Sequence, residues 1–222
     1  MPKTLFVAGA RRGAGKTTVA AFLLRSLPGV GAVKVTCCRP GSSCPRRNPC
    51  GVCRALSAPF AVIDDHEVLA TPRKDTARLL EAAQARVVWL QAREEALAQG
   101  LRAALESFGD EPAVIVEGNA AFQAFAPDLG LLVVGAGGPA KRSVEVALPF
   151  VDGVVLNARS SSPSPATIAG VPAGARTFQF DATRPCGVAD AARLVEWVAH
   201  SLGLPSAAGC SWPSGGHPPS PW

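Results

Sequence analysis

"GARRGAGKTT", residues 9–18, follows the apolar run "TLFVA" without a break and leads into "VAAFLLRSL". A strand, a glycine-rich turn and a helix opening on Gly-Lys-Thr-Thr make the setting in which a loop cradles phosphate. Gly13 and Gly15 carry no Cβ, so successive backbone N–H groups along Gly13, Ala14 and Gly15 can converge on phosphate oxygens. The N-terminus of the following helix adds its positive dipole end. In this reading Lys16 reaches the β and γ phosphates of a nucleotide, the Thr17 hydroxyl takes a place on Mg²⁺, and Thr18 completes the nucleotide-binding stretch from Gly13. Ala10 stands where the GxxxxGK[ST] pattern has its first glycine, a position that needs only a small side chain. A chance turn would have to reproduce strand, turn, lysine, threonine and helix together. Arg11 and Arg12 are the unusual part, since phosphate cradling by backbone does not require them.

Outward from this loop the chain alternates between short apolar runs and helical patterns. Strands are expected at 4–10, 30–36, 61–64, 86–91, 112–118, 129–135, 152–158 and 175–180. Such runs, separated by helices, predict an α/β fold: a mostly parallel sheet with helices on both faces. Helices are expected over 16–27, over 73–84 with Ala77, Leu80 and Ala83 facing the core, and over 93–107 with Leu97, Leu101 and Leu105. A last one carries the stripe Val188, Ala191, Val195, Val198 and Leu202. One domain over 1–204 follows, with a Cys-rich insertion at 37–58 after the second strand. The proline-, glycine- and serine-rich 205–222 reads as a flexible tail.

Charged residues inside apolar runs mark the rest of the site. Glu117 ends "PAVIVEG", where a carboxylate is costly unless exposed at the strand's C-terminal end, and that end is where ligands bind in an open α/β sheet. Lys34 interrupts "VGAVKVT" and needs an anion or an exit to solvent; it is expected to face the phosphates. Asp64 and Asp65 follow another apolar run, and Asp75 lies in "KDT". Any of the three suits the Mg²⁺ shell or a water-orienting role, and Asp64 is carried forward as the metal ligand.

The second distinctive stretch is "CCRPGSSCPRRNPCGVC", residues 37–53. Cys38, Cys44, Cys50 and Cys53 are spaced C-x5-C-x5-C-x2-C, and four thiolates brought together hold tetrahedral Zn²⁺ or an iron–sulfur cluster. His66 is an alternative ligand. Clustered thiols of this kind fit a reduced, cytoplasmic setting better than a secreted disulfide framework. The chain shows no secretory signal and no apolar run long enough to span a membrane. Its formal charge of +5 is mild and concentrated near the cysteines, which argues for one basic surface and against a general nucleic-acid coat.

Four stretches in order resemble a known group. "ARRGAGKTTVA", "VGAVKVT", "KDTARLLEAAQARVVWL" and "AVIVEGNAAF" are similar to the phosphate loop, second strand, lysine–aspartate–serine helix and Walker B strand of P-loop NTPases. The branch is that of dethiobiotin synthetases, ParA/MinD-type ATPases and metallocentre accessory GTPases, and the MobB proteins of molybdopterin-guanine dinucleotide biosynthesis resemble it most. The resemblance implies a homodimeric NTPase that uses Mg²⁺ with ATP or GTP and serves a metalloenzyme-assembly partner. It implies that Glu117 binds Mg²⁺, that Asn157 lies against the base, and that Lys16, Glu117, Lys34 and Arg11 form the catalytic set. Arg11 stands at the spacing of a signature lysine that reaches across a dimer to the partner's nucleotide. Two alternatives remain: a ligase similar to dethiobiotin synthetase, whose glycine-rich extension is absent from "EGNAAF", and a zinc-knuckle nucleic-acid module, which leaves Glu117 and Lys34 unexplained.

Overall fold

The computed structural model describes residues 1–38, 56–135, 140–157, 169–184 and 189–205. Cys44, Cys50 and Cys53, and the tail from 206 onward, lie outside the described residues. Among the described residues one 8-stranded sheet runs in the order β3-β4-β2-β5-β1-β6-β7-β8. The strands are β1 Lys3–Gly9, β2 Gly31–Cys38, β3 Phe60–Ile63, β4 Val87–Arg93, β5 Ala113–Glu117, β6 Leu129–Gly135, β7 Gly153–Asn157 and β8 Arg176–Phe180. The helices are α1 Lys16–Ser26, α2 His66–Leu69, α3 Asp75–Ala82, α4 Leu97–Glu106 and α5 Ala189–Leu202. The fold is α/β with a mostly parallel sheet covered on both faces.

Alternation along the strands builds two cores. Leu5 and Val7 of β1 face α1, α3 and α5, whereas Phe6 and Ala8 face α4. On the first face the Phe22 ring meets Phe180 edge-on with centroids 5.3 Å apart, and on the second Phe6 meets Phe122 in the same way at 5.3 Å. β5 and β6 are buried along their whole length. Burial on both faces is why these strands read as unbroken apolar runs.

The mostly parallel sheet has one antiparallel edge strand, and one expectation about a helix face is corrected. β3 is antiparallel to β4, with Phe60 opposite Ala92 and Ile63 opposite Trp89. Cys37 also pairs with Ala92, from the other side of β4. The chain therefore leaves β2 and enters β3 at the same end of the sheet, and a parallel strand would need a crossover back to the other end. In α3 the buried face is Thr76, Leu79 and Ala82, one position before the expected Ala77, Leu80 and Ala83. Leu80 and Ala83 flank this core only partly buried.

The topology also places the crevice. From β1 the chain passes to β2, which lies one strand beyond a gap; β5 later fills that gap, and β6 follows on the opposite side of β1. Strand order thus reverses at β1, and the loop leaving its C-terminal end sits at the switch point where ligands bind in such sheets.

Candidate functional site

The glycine turn is held on every side. Gly13 and Gly15 have φ of 72° and 100°, the left-handed region that strains residues with a Cβ. The loop's entry is clamped by Asn119, whose Oδ1 accepts from Gly9 N at 2.9 Å and whose Nδ2 donates to Gly9 O at 3.0 Å. Ala10 N donates to Val133 O at 2.9 Å. At the exit the buried Asn157 donates from Nδ2 to Ala14 O at 3.0 Å and accepts at Oδ1 from Ala182 N at 3.1 Å. Both ends of the Asn157 amide therefore serve the backbone, tying the loop to the segment after β8.

A Cβ at Gly15 would collide with the Asn157 amide. Gly15→Ala should accordingly lose about 1–3 kcal/mol of stability from left-handed strain and loosen the loop from Asn157. Urea unfolding checks the first effect; faster amide exchange at Ala182, whose N–H Asn157 accepts, checks the second.

A Cβ at Gly9 would lie 2.6 Å from Lys16 Cγ and 3.0 Å from Lys16 Nζ. The Lys16 side chain therefore folds back along the loop, and its ammonium rests beside the end of β1. Burial, partly offset by Glu117 and reinforced by the Lys34 charge, lowers its pKa from the ordinary lysine value.

Strand register assembles the charges beneath the loop. Lys34 of β2 lies opposite Glu117 of β5, on the face that carries α1 and α3. The Lys34 ammonium donates to both Glu117 oxygens at 2.9 Å and to Asp75 Oδ2 at 2.6 Å. Thr17 Oγ1 donates to Glu117 Oε2 at 3.1 Å. Asp75 opens α3, and in the same helix Arg78 Nη2 donates to Thr18 Oγ1 at 2.7 Å. Burial alone would lower the Lys34 pKa, but Glu117 and Asp75 outweigh it and raise the value. Burial alone would raise Asp75; the charge and hydrogen bond of Lys34, with help from Thr17 and Lys16, lower it instead.

This donor set fits Mg²⁺. The Thr17 hydroxyl and the carboxylates of Glu117 and Asp75 are hard oxygen ligands, and Mg²⁺ at a phosphate site takes one or two carboxylates with the remainder from phosphate and water. No group of three or more His, Cys, Asp and Glu gathers among the described residues.

Several sequence candidates stand elsewhere or differently. Because β3 runs antiparallel, Asp64 emerges at the opposite end of the sheet, paired with Arg86. Asp65 there accepts from Val68 N and caps α2, which begins with His66. Asp75, not Asp64, is the aspartate beside Thr17. Glu117 is 1% exposed rather than open to solvent, and Lys34 points to carboxylates. Arg12 is exposed, whereas Arg11 keeps Nε and Nη1 enclosed with no hydrogen-bond partner. Cys38 ends β2, buried.

Three residues were not anticipated. Asn119 directly follows Glu117-Gly118, and Arg78 lies one turn after Asp75, so nearness to known landmarks was their signal. Lys141 had none; its backbone N–H donates to Ala10 O at 2.8 Å.

No family model matches the chain, and no match is found among curated proteins. Among solved structures the chain is similar to the septum site-determining protein MinD, complexed with Mg-ADP, from Pyrococcus horikoshii OT3. The identity is 16% and the TM-score 0.43, over 93% of this chain and 88% of that one.

Proposed function

We propose that this chain is a P-loop nucleoside triphosphatase. The observation that carries the reading is the convergence of Lys16, Thr17, Glu117, Lys34 and Asp75 on one end of a glycine loop at the sheet's switch point. Loop N–H groups from Gly13 to Thr18 hold the phosphates, and Lys16 places its charge against the β and γ oxygens. Thr17, Glu117 and Asp75 would hold Mg²⁺, whose charge would offset that of the phosphate oxygens. Lys34 keeps the two carboxylates aligned, and Asp75 is placed to orient a water. Asn157 fixes the loop beside the segment where the base lies; "NARS" lacks the aspartate that selects guanine, so ATP and GTP are both substrates to test. Calorimetry with ATP, GTP and their nucleosides is the test. Triphosphates should bind only weakly without Mg²⁺ and tightly with it, and nucleosides should bind weakly throughout. Equal affinity for nucleoside and triphosphate would overturn the proposal.

The finer reading is an accessory NTPase for metallocofactor assembly, similar to MobB, working as a homodimer in which Arg11 reaches the partner's nucleotide. It rests on the sequence resemblance. Sedimentation with and without a non-hydrolysable triphosphate tests the dimer. The Cys-ligated Zn²⁺ or iron–sulfur centre at Cys38, Cys44, Cys50 and Cys53 rests on cysteine spacing. Elemental analysis of anaerobically purified protein should find one such centre per chain; freely titratable thiols with no metal would remove it.

A further inference from the structure

The neighbourhood of the loop contains a cation that the reading above leaves without a task. β6 ends at Gly135, so close to the loop that a Cβ there would lie 3.0 Å from Ala14 Cα. Six residues beyond Gly135, the Lys141 N–H donates to Ala10 O at 2.8 Å. Two residues on, Ser143 O accepts from Asn119 Nδ2 at 3.2 Å, the same amide that clamps Gly9. The Lys141 backbone is thus anchored to the two residues that begin the loop, Gly9 and Ala10, one of them through Asn119.

That anchorage decides which part of a nucleotide Lys141 meets. The Lys16 ammonium folds back to Gly9, so the β1 end of the loop is where the outer phosphates lie, while the α1 end cradles the inner ones. Lys141 stands at the β1 end. Its side chain is exposed, yet its charge is felt there: partial desolvation, then the positive charges of Lys16 and Arg12, lower its pKa from the ordinary lysine value. No ion pair among the described residues involves Lys141. Arg11, next to Ala10 in the loop, is a fourth cation, with Nε and Nη1 unpartnered. Cations gathered at one loop repel each other, and an anion bound among them relieves the repulsion.

We propose that Lys141 is a second phosphate-binding lysine, contacting the terminal phosphate of a triphosphate and making the site distinguish triphosphates from diphosphates. The proposal rests on the nucleotide reading of the loop. A diphosphate leaves the outer position empty, so Lys141 adds affinity only when the third phosphate is present.

The experiment compares wild type, Lys141→Met and Lys141→Arg, all as the full chain with Mg²⁺. Calorimetry measures a non-hydrolysable ATP or GTP analogue and the matching diphosphate. Lys141→Met should weaken the triphosphate by about tenfold to a hundredfold, the range of one charge-assisted hydrogen bond, and leave the diphosphate within about threefold. Lys141→Arg should retain most of the preference. Urea unfolding of the ligand-free proteins should find Lys141→Met at least as stable as wild type, because the backbone N–H remains and a repelling charge is gone. Equal losses for both nucleotides, no loss for either, or a destabilised ligand-free variant would each overturn the proposal while leaving the nucleotide site intact. Wild type that binds neither nucleotide would overturn both readings.

Discussion

Lys34→Met is expected to destabilise the ligand-free fold by about 3–5 kcal/mol, the cost of removing one partner from a buried ion pair. The Lys34 ammonium holds both oxygens of Glu117 at 2.9 Å, and Glu117 is 1% exposed. Without Lys34 the Thr17 hydroxyl still reaches that carboxylate, but a single neutral donor does not compensate a buried charge. The double variant Lys34→Met, Glu117→Met should recover most of the loss, since exchanging both members of such a pair for apolar side chains is often close to neutral. Urea unfolding of wild type, the double variant and each single variant, Glu117→Met included, closes the cycle. A single-variant loss below about 1 kcal/mol, as surface pairs give, would show that the network contributes little.

The pH dependence of this network follows from its shifts. Asp75 titrates below its ordinary value in the fold, so its contribution is present above the unfolded value and lost as pH falls through the folded one. Lys34 titrates above its ordinary value, so its contribution is complete below the unfolded value and lost as pH rises through the folded one. Between the ordinary carboxylate and lysine values both are in force, and the pH profile of wild-type stability should be flat there compared with Lys34→Met.

Lys16→Met should have the opposite balance: triphosphate affinity falls by roughly thirtyfold to a thousandfold, about 2–4 kcal/mol, as for loss of one partner of a desolvated charge pair. Ligand-free stability, in contrast, should hold or rise. The lowered pKa of Lys16 means that the fold disfavours its charge, through burial first and then through Lys34. Methionine keeps the apolar stem that packs over Gly9 and removes that charge. A variant that binds triphosphate as wild type does would show that the phosphates lie elsewhere; one that simply unfolds would assign Lys16 a structural role.

Some of this was legible in the chain because the physics is local. Strands β1, β5 and β6 are buried on both faces, and continuous burial writes itself as a continuous apolar run. Gly13, Gly15, Lys16 and Thr17 are neighbours in sequence, so the phosphate loop needs only strand, turn and helix to form. Glu117 and Lys34 stood out because a charge in an apolar run demands a reason.

What joined them is not local. Lys34 and Glu117 are 83 positions apart, and they meet because β2 and β5 pair in the register that sets one opposite the other. The choice between Asp64 and Asp75 turned on the direction of one edge strand: three aspartates equivalent in sequence are separated once β3 runs antiparallel and sends Asp64 and Asp65 to the far end. Lys141 reaches the site through a backbone bond to Ala10, which no side-chain pattern records. Local sequence determined which charged residues stand where a charge is costly. Strand order, direction and register decided which of them meet, because an ion pair or a hydrogen bond depends on distances of a few ångströms that only the assembled sheet sets.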